Sequence, residues 1–86
     1  MDLEIDGKKI ISKNDLLDEL KKQINSKEFY GDNFDALFDI LLNYQGLVTI
    51  KVKNEELLIK NLKEYYVIFK KVISNLRKEG KVIDFK

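Results

Sequence analysis

The sequence predicts an α/β domain: a small three-stranded parallel sheet packed with about four helices, in the order β-α-α-β-α-α-β. Three observations carry this. Runs of strand length at residues 3–5, 47–52 and 81–85 are separated by longer stretches of helical periodicity. Helical connections between successive strands favour parallel pairing through right-handed crossovers. Finally, 86 residues with 44% hydrophobic and 36% charged side chains make a single globular domain, residues 1–86, and a chain of this size buries about 60–65% of its unfolded surface.

Leu3 and Ile5 alternate with Asp2, Glu4 and Asp6, the period of a half-buried strand. Asp6-Gly7 ends it, and with Lys8-Lys9-Ile10-Ile11 following, a hairpin is an alternative partner for this strand. Ser12, with Asp15 three residues on, reads as an acidic capping box for a helix running to about residue 25 on Leu16, Leu17, Leu20 and Ile24. Asn25 to Asp32 reads as a loop. A second helix spans about Asn33 to Asn43 with Phe34, Leu37, Phe38 and Leu41 on one face. Leu47 to Val52 is mostly apolar and rich in β-branched residues, as expected of a strand buried on both faces. Asn54 is placed to cap a further helical region that bends near Asn61 and ends before Gly80, a natural C′ residue. Lys81 to Phe85 supplies the last strand.

Cysteine and histidine are both absent, which excludes disulfides, thiol nucleophiles, Ser-His and Cys-His couples and ordinary zinc sites. The amino terminus, Met1-Asp2-Leu3-Glu4, lacks the apolar run of a signal peptide. The longest hydrophobic stretch, Tyr65-Tyr66-Val67-Ile68-Phe69, is too short to span a membrane. The expectation is a cytoplasmic protein. No Gly-rich phosphate loop is present, and no cofactor or metal is implied.

The formal net charge of +1 conceals a division along the chain. Residues 1–27 balance six acids against six lysines, residues 28–50 carry four acids and no base, and residues 51–86 carry ten bases and five acids. Segregation of this kind steers partners whatever the total. The acidic segment, Glu28-Phe29-Tyr30-Gly31-Asp32-Asn33-Phe34-Asp35-Ala36-Leu37-Phe38-Asp39, is the informative one. Asp35 and Asp39 lie one helical turn apart beside the apolar arc. Asp35 has a structural explanation in the first turn, where the dipole favours a carboxylate. Asp39 is a poor helix former in mid-helix with no local lysine, so a binding contact competes with a solvated surface acid. Phe29 and Tyr30 read either as a lid packed on the core or as part of a recognition surface.

The stretch Phe29-Tyr30-Gly31-Asp32-Asn33-Phe34-Asp35-Ala36-Leu37-Phe38-Asp39 closely resembles the motif of the barstar family, intracellular inhibitors of barnase-type ribonucleases. Leu3-Glu4-Ile5-Asp6-Gly7, Ile68-Phe69-Lys70 and Lys78-Glu79-Gly80 resemble the family more weakly. The resemblance implies a monomer that binds a small extracellular-type ribonuclease one to one and blocks its active site. Asp39 would take the place of a substrate phosphate, with Asp35 in charged contact beside it and Phe29 packed on the enzyme. Gly31, Asn33 and Phe34 would line the loop and helix start, and Phe38 and Tyr44 stand where the family typically has tryptophan. Lys71 occupies a place where the family's last helix normally adds an acid, and the family is typically strongly acidic overall. These departures imply weaker steering and a partner matched to Lys71.

Two rivals follow from the residues. Lys63, Lys70, Lys71, Arg77 and Lys78 share the side of the last helix opposite a core stripe of Leu62, Tyr65, Tyr66, Phe69, Val72, Ile73 and Leu76. They are the seed of a nucleic-acid or anionic-surface binding module. Fifteen of the sixteen basic residues are lysine, which disfavours base recognition. An enzymatic reading would use Asp35 and Asp39 as an acid–base pair or hard-metal ligands, but two carboxylates are too few for a convincing magnesium site.

Overall fold

The computed structural model describes every residue except Glu28, Tyr30 and Asp32. Its elements are β1 (Asp2–Asp6), α1 (Lys13–Ile24), α2 (Phe34–Asn43), β2 (Val48–Lys53), α3 (Glu55–Leu62), α4 (Glu64–Lys78) and β3 (Ile83–Phe85). The strands form one parallel sheet in the order β1-β2-β3, with Leu3 opposite Ile50 and Val48 opposite Ile83. The hairpin alternative is therefore excluded: residues 7–9 form a turn, and β1 pairs with β2.

Moving stepwise from β1 to β2 to β3 through right-handed crossovers puts every connection on the same side of the sheet. The burial pattern agrees. Leu3, Ile5, Val48, Ile50 and Ile83 are buried on one face, while Asp2, Glu4, Lys51 and Asp84 on the other are exposed. The expectation that residues 47–52 are buried on both faces is thus corrected. β2 is central in the sheet but has one open face, where Lys51 stands opposite Glu4, and Lys53 pairs with Glu4 at 3.3 Å.

The capping box is present: the Asp15 amide donates to Ser12 Oγ, and Asp15 Oδ2 accepts from the Ser12 amide, each at 3.2 Å. Asn54 precedes α3 but does not cap it through its side chain. Its backbone is left-handed (φ 53°), and its Nδ2 instead donates to Asp6 Oδ1 at 2.8 Å. This contact packs the end of β1 against the start of α3 so closely that a Cβ at Gly7 would lie 2.2 Å from the Asn54 carbonyl oxygen. The bend near Asn61 is a break at Lys63, whose φ of 53° and ψ of −120° separate α3 from α4. Leu62, Tyr66, Phe69, Val72, Ile73 and Leu76 are buried as the periodicity predicts. Tyr65 is not: it is 38% exposed, with the Lys13 ammonium 5.4 Å from its ring centroid. No helix among the described residues is long and apolar enough to cross a membrane.

Candidate functional surface

The loop before α2 turns sharply because Gly31 adopts a φ of 82°, a conformation that glycine enters without a Cβ penalty. Asn33 then starts the helix in extended geometry. Its Oδ1 accepts from the Ala36 amide at 2.8 Å, satisfying one of the orphan donors of the first turn. Leu37 and Leu41 are fully buried, and Phe34 and Phe38 pack half-buried on their flank. That anchoring fixes the helix rotation and points Asp35 and Asp39 outward, both exposed and one turn apart. Asn43 continues the same exposed line. Neither carboxylate has an ion-pair partner among the described residues.

Phe29 is 8% exposed and belongs to the core cluster, with the Lys21 ammonium 5.6 Å from its ring centroid. It holds the loop down, as the lid reading describes, and leaves only an edge for a partner. Its neighbour Tyr30 lies outside the described residues, as does Asp32. Tyr44 ends α2, half-buried, with its ring against Gly46, where an added Cβ would lie 3.3 Å from Cε2. Lys81 donates from Nζ to the Tyr44 carbonyl and lies 6.0 Å from the Tyr44 ring centroid. The sequence reading assigned Lys81 only to the last strand. The available signal was that residues 34–43 and their flanks contain no base to complement the negative end of a helix.

Of the residues singled out, Gly31, Asn33, Phe34, Asp35, Phe38, Asp39 and Tyr44 thus lie on α2 or at its two ends. Two clefts lined by described residues lie elsewhere. One of about 270 Å³ lies between β1 and α1 beside Glu4, Asp15 and Gln23, and one of about 430 Å³ lies over the open sheet face. Among the described residues no three carboxylates are grouped to hold a metal ion.

The basic side of α4 is less available than its composition suggests. The guanidinium of Arg77, the sole arginine, donates from Nε and Nη2 to the Ile83 carbonyl at 3.1 and 2.7 Å. Lys70 lies over the Tyr66 ring at 5.5 Å. A bidentate phosphate contact from Arg77 would have to displace a contact to the sheet edge.

A comparison with protein families matches residues 1–85 to the family described as Barstar (barnase inhibitor). No curated protein matches the chain.

Proposed function

The chain belongs to the Barstar family of barnase inhibitors, and on that premise we propose that it blocks the active site of a small extracellular-type ribonuclease with α2 and the preceding loop. The observation that supports this reading is the pair of exposed carboxylates, Asp35 and Asp39, without an ion-pair partner among the described residues, on a helix whose surrounding segment contains no base. A ribonuclease active site is lined with cations that hold the substrate phosphate. Asp39 offers them a fixed anion in its place, and Asp35 extends the contact along the same face.

The described part of the surface is pre-organised, which lowers the entropy cost of docking. Asn33 fixes the start of α2, Gly31 lets the chain enter it, and Phe29 holds the loop to the core while presenting its remaining edge. Phe34, Phe38 and Tyr44 border the acids with apolar area that excludes water from the charge contacts. Inhibition follows from occupancy of the site, with no bond made or broken. The complex is one to one, between a monomeric inhibitor and its nuclease, and it acts in the cytoplasm of the producing cell.

The test is a titration of a barnase-type ribonuclease held at fixed concentration. Stoichiometric loss of activity with the wild-type chain, and its absence with Asp39→Ala, supports both the reading and the role of Asp39. Equal inhibition by the two proteins removes Asp39 from the mechanism. No inhibition by either counts against a barnase-type partner.

A further inference from the structure

α2 ends without local help. Its last turn carries no basic residue, and the carbonyls at a helix C-terminus lack intrahelical partners and carry partial negative charge. The cation is supplied from residue 81. α4 ends in a Schellman arrangement: Gly80 at φ 90° donates its amide to the Arg77 carbonyl at 3.0 Å, and the Lys81 amide donates to Leu76 at 3.0 Å. This motif usually places an apolar residue after the glycine. Here the residue is a half-buried lysine, with its backbone held by α4 and its ammonium on the Tyr44 carbonyl and near the Tyr44 ring.

We propose that Lys81 is a positioning residue: it latches the C-terminal turn of α2 to the end of α4 and so fixes the helix that carries Asp39. Asp39 lies five residues before Tyr44, so fraying from that end unwinds the turn that follows its carbonyl. The latch is a structural claim. Its consequence for binding rests on the inhibitor reading above.

The experiment compares wild type, Lys81→Met and Lys81→Arg by amide hydrogen exchange and by ribonuclease inhibition kinetics. Methionine keeps an unbranched stem without the ammonium, whereas arginine restores a charged donor. In Lys81→Met the amides of Leu41, Leu42 and Asn43 should exchange about tenfold faster relative to those of β2, the scale of one lost charge-assisted hydrogen bond. The inhibited complex should dissociate about tenfold faster, while its association rate rises slightly because the field of residues 28–50 loses a cation. Lys81→Arg should recover both. Unchanged exchange in α2, or acceleration spread equally over β2, would overturn the latch. Faster α2 exchange with unchanged dissociation would overturn the positioning role. If the wild type inhibits no ribonuclease, the inhibitor reading is what fails, and the exchange pattern alone still decides the latch.

Discussion

The side-chain amide of Gln23 pairs with both backbone groups of Glu4: the Glu4 amide donates to Oε1 at 2.8 Å, and Nε2 donates to the Glu4 carbonyl at 2.7 Å. A neighbouring strand would make the same two bonds. α1 thus covers part of the β1 edge, as Arg77 covers the Ile83 carbonyl on β3 at the opposite edge. Unpaired edges template association with other chains. Gln23→Ala should lower unfolding free energy by about 1 kcal/mol, given two exposed bonds, and make light scattering rise with protein concentration. An unchanged denaturation midpoint with no added scattering would show that the edge needs no cover.

Asp6 gives the fold a dependence on acid. Its carboxylate accepts from the Lys8 amide at 2.9 Å and from Asn54 Nδ2 at 2.8 Å, and these bonds, the Lys8 amide foremost, hold its pKa below the ordinary 3.8. With the folded value below the unfolded one, the stabilisation is complete above about pH 4 and is lost as pH falls through the folded value. Between pH 4 and 2 the wild type should therefore lose stability more steeply than Asp6→Asn, as followed by urea unfolding at each pH. Parallel curves would remove Asp6 from the acid response.

The α3–α4 junction stores strain at a residue that has no need to be lysine. Lys63 combines φ 53° with ψ −120°, a region costly for any side chain bearing a Cβ, and its own side chain is exposed. Lys63→Gly should relieve more than it loses in unfolded-state entropy, for a net gain of about 1 kcal/mol in thermal or urea unfolding. A loss of similar size would show that the conformation is not strained.

Much of this fold was legible because local signals agreed with the global topology. Ser12 with Asp15, the helical stripes, and Gly80 each specify structure within a few residues. What was not legible depends on contacts distant in sequence. The open face of β2, by contrast, is written in the alternation of Val48, Ile50 and Val52 with Thr49, Lys51 and Lys53, which the apolar weight of residues 47–52 masks. Asn54 carries the residue type of a cap, yet its side chain turned to Asp6, 48 residues away. Tyr65 fits the helical core stripe by angle alone, but α4 has too narrow a buried face to include it. In the candidate surface, the outward position of Asp35 and Asp39 was readable from the apolar arc of α2. The link from Lys81 to Tyr44, 37 residues apart, was not.

Tyr66 and Glu55 test whether α3 contributes more than a connection. The buried Tyr66 hydroxyl donates to Glu55 Oε2 at 2.6 Å, and burial together with that carboxylate raises its pKa well above the ordinary 10. Tyr66→Phe keeps the ring and removes the bond, so stability should fall by about 1.5 kcal/mol, the lower end for a bond to a charged group. Because the Tyr66 hydroxyl, its pKa raised, keeps its proton through the neutral range, the loss should be the same at pH 6 and pH 9. A loss confined to one of these pH values would assign the effect elsewhere.

The acids of α2 should separate affinity from steering. With a net charge of +1, long-range attraction to a basic nuclease comes from the local field of residues 28–50, not from the whole molecule. Asp39→Ala should weaken inhibition by at least about 30-fold, the ordinary threshold for an interface hot spot, a behaviour that the family's type complex itself exemplifies. Asp35→Asn should act mainly on the association rate and flatten its decline between low and physiological salt. Lys71→Glu, on the exposed side of α4, should raise the association rate with a partner that is basic at the facing position and lower it where the partner is acidic there. Stopped-flow measurement at several salt concentrations reads all three. An association rate independent of salt in the wild type would show that the segregated charge does not steer the encounter.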